Sequence, residues 1–243
     1  MPSNPTTRTL ALAVWPTPTH RRPRYLAASS GRHPIQPELA ARAILAYTDA
    51  GDLVVDPACG IGTVPVEAIQ LGRRAIGIAA DRGTAALAIA NISDARQHGA
   101  PGRAAVLEGT PKQLPRLLAQ AGSILNASPG ARVRRHPAGS VQLLLTRAPA
   151  APAEALLRPW LTVLAPGGFL LLVHDQHEGR HRPGLAGLVA ACEHAGLEYW
   201  QHVIATRSNP QTQGGLLHTD VLAFRKPRSD PAARSSHSMA VAA

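Results

Sequence analysis

The chain is short of aromatic residues and cysteines, and each shortage limits the function it can have. Phe, Trp and Tyr make up 3% of its 243 residues, which leaves few rings on which unpaired bases could stack. The two cysteines, Cys59 and Cys192, lie far apart and show no metal-ligand spacing. A disulfide framework is therefore not indicated, and a reducing, cytoplasmic setting is expected.

Long apolar runs are also missing. No stretch of about eighteen apolar residues occurs, and no charged leader precedes an apolar segment. We therefore expect a protein that neither enters a membrane nor is secreted. The length is sufficient for one α/β unit with a full core, without disulfides or metals to stabilise it.

Acidic residues are scarce relative to basic ones. Lys and Arg total 25 against 15 Asp and Glu, which gives a formal net charge of +10. Arginines cluster at 21–24, at 132–135 and at 180–182, and could contact the phosphates of DNA or RNA. The Ala-rich, Lys-poor composition also fits a GC-biased genome, which would raise the arginine content without any selection for binding.

The chain alternates apolar strands with helical patterns, which is typical of a doubly wound parallel sheet. We expect an extended arm over residues 1–30, one domain over 31–227 and a disordered Ala/Ser tail over 228–243. Helices are predicted at 36–48, 63–72, 83–98, 111–120, 152–164 and 184–195, and strands at 52–56, 75–79, 104–107, 141–146, 168–174, 199–206 and 219–225. The last two strands have no helix between them, which predicts a terminal antiparallel hairpin.

The most informative segment is Val54-Val55-Asp56-Pro57-Ala58-Cys59-Gly60-Ile61-Gly62-Thr63. An apolar strand ends at Asp56 and leads through a turn into a helix that begins near Thr63. Gly60 and Gly62 permit close approach of a ligand to backbone N–H groups at a helix N-terminus. Backbone N–H groups arranged in this way can hold a charged or zwitterionic ligand.

This segment carries a family resemblance, together with the run from Gly31 to Pro34, the residues around Pro37 and Glu38, and Leu71 to Ile78. It resembles the S-adenosylmethionine (SAM) site of nucleic-acid amino-methyltransferases, which include DNA N4-cytosine and N6-adenine methylases and tRNA guanine-N2 methyltransferases. The resemblance implies a seven-stranded Rossmann-like SAM-methyltransferase sheet and SAM as the cofactor.

The resemblance also implies which residues bind the cofactor. They are His33, Pro34, Asp56, Pro57, Cys59, Gly60, Gly62, Thr63, Asp81 and Thr110. Two positions depart from the family pattern. Ala79 stands where relatives have the acid that binds the SAM ribose, with Asp81 two residues further on, and Thr110 stands where an acid is expected near adenine.

The sharpest departure follows the fourth predicted strand of the domain, at Arg147-Ala148-Pro149-Ala150. Relatives carry Asp, Asn or Ser here, then two prolines and an aromatic residue. In them the first side chain and the first proline carbonyl orient the target amine, and the aromatic stacks on the base. An arginine only donates hydrogen bonds and would repel a methyl sulfonium, so this motif is degenerate.

Histidines at 174, 177 and 181 with Asp175 resemble a metal cluster, but in so His-rich a chain we expect solvated loop histidines and no metal. Three hypotheses remain open. The chain is a methyltransferase with weakened or lost catalysis, a non-catalytic module that binds SAM or nucleic acid and acts in regulation, or an enzyme that Arg147 has retargeted to an acidic small molecule.

Overall fold

The computed structural model describes residues 11–17, 35–125, 139–149, 154–174, 184–208 and 216–228. The strands within them are β1 (Ala11–Pro16), β2 (Leu53–Asp56), β3 (Arg74–Ala79), β4 (Arg103–Glu108), β5 (Val141–Arg147), β6 (Leu164–His174), β7 (Glu198–Ser208) and β8 (Leu216–Arg225). The helices are α1 (Pro37–Tyr47), α2 (Thr63–Gln70), α3 (Arg82–Gln97), α4 (Leu114–Leu125), α5 (Glu154–Val163) and α6 (Leu185–His194).

All eight strands form one sheet in the order β1-β7-β8-β6-β5-β2-β3-β4. The neighbouring pairs β4–β3, β3–β2, β2–β5 and β5–β6 are parallel. Strand β8 runs antiparallel to both β6 and β7. The doubly wound sheet and its terminal antiparallel hairpin are therefore confirmed. Among the described residues, no helix is both long and apolar enough to cross a membrane.

Helices cover both faces of the sheet, as the apolar, β-branched strands require. On one face, α1, α2 and α3 pack against alternate residues of the strands, such as Val54, Leu145 and Leu171. On the other, α4, α5 and α6 pack against the intervening residues, such as Val55, Leu144 and Leu172. Because successive side chains of a strand point to opposite faces, strands β2 to β8 each contribute to both cores, whereas β1 contributes only to the core under α1 to α3.

The sheet has one strand more than the sequence predicted. Residues 11–16, which we placed in an extended arm, form β1 and pair in parallel with β7. Thr17 continues the contact, since its backbone N–H and its hydroxyl both donate to the Thr206 carbonyl, at 2.7 and 2.8 Å. Residues 1–10, 18–34 and the tail from 229 lie outside the described residues.

Strand order reverses between β2 and β5. The chain runs outward from β2 to β3 and β4, then returns to place β5 on the other side of β2. Ligands of such sheets collect outside the carboxyl ends of the strands at this crossover. The ends of β2, β3, β4 and β5 therefore define where a site belongs.

Candidate cofactor and substrate site

The turn after β2 is held in place by backbone hydrogen bonds. The Asp56 carboxylate accepts from the Ala58 N–H at 3.0 Å, and the Cys59 N–H donates to the Ile78 carbonyl at 2.9 Å. From α3, the Asn91 side-chain amide donates to the Ile61 carbonyl at 2.9 Å. These contacts fix the turn against β3 and α3, so its backbone is preorganised.

The two glycines of the turn have different roles. Both have positive φ, 52° at Gly60 and 86° at Gly62, which side-chain-bearing residues rarely adopt. Gly60 is exposed, and a Cβ built on it meets nothing within 4 Å. At Gly62 a Cβ would lie 3.0 Å from the Ala88 Cβ. Gly60 therefore leaves open space beside the turn, whereas Gly62 lets α2 pack against α3.

Asp56 is a buried carboxyl group at the crossover. Burial raises its pKa from 3.8 to about 7, and the Ala58 N–H, the nearby Thr146 hydroxyl and the Arg147 charge each lower it in part. A carboxyl with a pKa close to neutral can gain charge when a cationic ligand binds.

Three other residues of the predicted cofactor loop, Pro57, Cys59 and Thr63, are buried. The Cys59 side chain packs with Ala79, Ala85 and Ala88, and burial raises the pKa of its thiol, with the Asp56 charge adding to the effect. A Cβ on Gly77 would lie 2.7 Å from the Cys59 sulfur. Cys59 therefore positions the turn on β3 through its side chain, and only its backbone is available to a ligand.

The β3 position at which relatives carry the ribose-binding acid is apolar in this chain. Ala79 ends β3 and is fully buried, while Asp81 is exposed and caps the N-terminus of α3. Its carboxylate accepts from the Thr84 N–H at 2.8 Å and from the Thr84 hydroxyl at 2.7 Å. The Thr84 bonds lower the pKa of Asp81. Asp81 is thus an ionised acceptor at the correct edge of the sheet, already engaged by its own helix.

The loop after β4 places Thr110 at the same edge. Its N–H donates to the Gln113 side-chain oxygen at 2.9 Å, and Gly109 donates to the Ala79 carbonyl at 2.9 Å. The predicted helix over 111–120 begins instead as a 3-10 turn, Pro111–Gln113, before α4. Thr110 is exposed and neutral, so the ends of β3 and β4 offer no buried acid to a ligand.

The degenerate motif begins at the last residue of β5. Arg147 ends the strand, and the Ala148 N–H donates to the Val173 carbonyl at 2.8 Å, which continues the ladder between β5 and β6. Ala148 is buried and packs with the core under α4 to α6. Pro149 is half-buried. His33, Pro34 and Ala150, the other predicted site residues, lie outside the described residues.

One functional candidate was misjudged from the sequence. His174 was correctly predicted to end a strand, here β6, but it was expected to be solvated and is 8% exposed. The sequence did contain a sign of this burial. His174 follows the apolar run 169–173 and lies on the same face of the strand as Leu170 and Leu172. No group of three metal-ligating side chains occurs within the described residues, and Asp175, His177 and His181 lie outside them.

Comparisons with known proteins agree with this geometry. Residues 5–90 match the DNA methylase family. A segment of 55 residues is 53% identical to the type II methyltransferase M2.DpnII of Streptococcus pneumoniae, covering 22% of this chain and 20% of that protein. The matched segment is therefore a fifth of that relative's length.

Solved structures extend the likeness to the rest of the fold. The chain resembles TrmN from Thermus thermophilus (TM-score 0.53, 20% identity), with 80% of this chain and 50% of that chain covered. It also resembles magnesium protoporphyrin IX methyltransferase from Synechocystis PCC 6803 with bound SAM (TM-score 0.54, 14% identity, 78% and 77% covered). The chain is therefore similar to the DNA methylase family over residues 5–90, and its sheet has the fold of class I SAM-dependent methyltransferases.

Proposed function

We propose that this protein binds SAM or its demethylated product at residues 56–63 and has weakened or lost the ability to methylate bases. The main support for the proposal is a contrast between the carboxyl ends of two adjacent strands, β2 and β5. The turn after β2 keeps its geometry, whereas the residues after β5 have exchanged acceptor and proline for Arg147 and Ala148.

The described residues fit the cofactor at the β2 turn. Exposed backbone at Ala58 and Gly60 lies beside the buried Asp56 carboxyl, a combination that suits the ammonium and carboxylate of an amino-acid moiety. Bound SAM supplies an electrophilic methyl group on its sulfonium. The protein's own contribution is orientation and electrostatic fit.

The affinity for SAM should be modest. A ribose diol that pairs with a carboxylate contributes a few kcal/mol, and its loss raises Kd by roughly two orders of magnitude. Ala79 removes that carboxylate, and Asp81 can replace it only while it also holds Thr84.

Base methylation should be very slow for a chemical reason. The Arg147 guanidinium cannot accept a hydrogen bond from an amine, and it lies close enough to Asp56 to lower the pKa of that carboxyl. An unoriented amine costs several kcal/mol of activation free energy, and about 1.36 kcal/mol corresponds to tenfold in rate.

A nucleic-acid partner remains part of the proposal. The basic clusters that would contact it, at 21–24 and 132–135, lie outside the described residues, and the net charge of +10 supports it. Binding should be non-specific and steeply salt-dependent, because phosphate contacts release counterions. A binding constant for duplex DNA or tRNA that stays flat between low and physiological salt would refute it.

Calorimetric titration of the purified chain with SAM and S-adenosylhomocysteine tests the cofactor proposal. Gly60→Ala should reduce affinity, because the added methyl occupies the open space beside the turn. Gly99→Ala is the matched control, since Gly99 has φ 89° and open space around it but lies before β4, at the opposite edge. Equal affinity for the two variants would place the site elsewhere.

The catalytic part of the proposal needs a separate assay. Purified protein with methyl-labelled SAM and a mixture of DNA and tRNA should give little or no labelling of base amines. Robust multiple-turnover labelling would overturn it.

A further inference from the structure

We propose that His174 is a binding residue for the amine of a nucleobase-like heterocycle, replacing the acceptor that Arg147 cannot supply. This inference rests on the proposed function, because it assigns a substrate-facing group to the same edge of the sheet. A neutral imidazole accepts a hydrogen bond through one ring nitrogen, which the Arg147 guanidinium cannot do.

Register places His174 beside the degenerate motif. Thr146 is paired with Leu172, and Arg147 with Val173. The hydrogen bond from the Ala148 N–H to the Val173 carbonyl extends the ladder by one step, which sets Ala148 level with His174. His174 is therefore the β6 neighbour of Ala148, the position whose carbonyl helps to orient the target amine in relatives.

His174 and Arg147 also lie on different faces of the sheet. Arg147 shares its alternation with Leu145, which belongs to the core under α1 to α3, and its charge acts on Asp56 at that side. His174 shares its alternation with Leu172, in the core under α4 to α6 together with Ala148. The imidazole and the guanidinium thus lie on opposite faces, so an amine held by His174 does not meet the positive charge directly.

The imidazole is buried without satisfying its polar atoms. His174 is 8% exposed, and within the described residues neither ring nitrogen has a hydrogen-bond partner. A buried polar group left in this state is destabilising. An unsatisfied buried group in a native fold needs an explanation, and a polar ligand that donates to the ring supplies one.

Neighbours on β8 and β7 favour a donor ligand over an anion. Asp220 is paired with His174 in register, is 2% exposed and accepts from the His202 Nε2 at 2.8 Å. The Asp220 carboxyl on the same face contributes negative potential beside the ring. Amine N–H groups are therefore preferred here over carboxylate or phosphate oxygens.

The experiment compares nucleosides with and without an exocyclic amine on protein saturated with S-adenosylhomocysteine. Adenosine and purine riboside form one pair, because they differ only by the amine, and their dissociation constants are measured by calorimetry. We expect wild type to prefer adenosine by about threefold to tenfold, the range of one neutral hydrogen bond.

Three variants test whether His174 causes the preference for adenosine. His174→Leu should abolish it and, because an apolar side chain replaces unsatisfied nitrogens, should not lower the melting temperature. His174→Asn keeps an acceptor and should retain part of the preference. His194→Leu, an exposed position in the last turn of α6, is the control and should match wild type.

The outcomes separate the two proposals. If neither SAM nor S-adenosylhomocysteine binds, the proposed function fails and this inference fails with it. If it binds, but His174→Leu keeps the preference for adenosine or wild type shows none, only the role of His174 is overturned. A large drop in the melting temperature of His174→Leu with the adenosine preference unchanged would assign the ring to the core.

Discussion

Asp56 should make the stability of this protein fall as the pH rises towards 7, and Asp56→Asn should remove that effect. The pKa of this carboxyl is raised from 3.8 to about 7 because it is buried. The native state therefore keeps a proton that the unfolded chain releases near pH 4. Stability from the neutral carboxyl is fully present below that pH and is lost as the pH rises through about 7.

The magnitude follows from the pKa values. A pKa raised from 3.8 to about 7 corresponds to about 4 kcal/mol, because each tenfold change in proton affinity is worth about 1.36 kcal/mol. Asparagine is neutral at every pH and can still accept from the Ala58 N–H. We therefore expect wild type and Asp56→Asn to have similar free energies of unfolding at pH 4, and the variant to be more stable by up to about 4 kcal/mol at pH 8.

Urea unfolding at several pH values between 4 and 8 measures this difference directly. Asp49→Asn is the control, because Asp49 is an exposed acid just before β2, and its difference from wild type should stay small throughout. A difference between wild type and Asp56→Asn that does not change with pH would refute the reasoning, since Asp56 would then be ionised in the folded protein at every pH tested.

Two further predictions concern the same edge of the sheet. Arg147→Ala should raise the pKa of Asp56, because a nearby positive charge is removed, and pH-dependent unfolding should show the midpoint of the stability change moving to higher pH. Gly62→Ala should cost about 1–3 kcal/mol of stability, more than Gly60→Ala, because its Cβ also meets Ala88; thermal melts of both variants check the order.

Much of the sheet could be predicted from sequence because its signals are local. Each of the parallel strands β2, β3 and β5 is a short apolar run bounded by turn residues, and the helix after each begins at a recognisable boundary. The Asp56-to-Thr63 turn was predictable for the same reason. Its strand, glycines and helix start all lie within ten residues of one another.

β1 was missed because its formation depends on a partner far along the chain. It pairs with β7, about 190 residues away, and the hydrogen bond from Thr17 to Thr206 spans 189 positions. Its aliphatic residues also give a misleading pattern, since Leu12 and Val14 are exposed whereas Ala13 and Trp15 face the core. A short apolar run in a Pro-, Thr- and Arg-rich segment gives no local sign of that pairing.

His174 was misjudged for a different physical reason. The sequence pattern placed the strand correctly to residue 174, but the residues that follow, with further histidines, suggested a polar loop. Burial of the imidazole depends on the flanking strands β5 and β8, and their register with β6 is a tertiary property. The strand end was predictable, and the environment of its last side chain was not.

The electrostatic effect of Arg147 on Asp56 also determines what a reversion can achieve. Arg147→Asp restores an acceptor of the kind that relatives carry, but it places a second carboxylate near a buried one and removes the charge that lowers the pKa of Asp56. Like charges at such a distance raise the pKa of at least one carboxyl. The reverted protein should therefore bind a cation such as SAM with stronger pH dependence, yet Ala148 would still lack the proline-fixed carbonyl. The charge at position 147 of the degenerate motif changes the pKa of Asp56 in the cofactor turn. Recovery of base methylation therefore requires changes at both places.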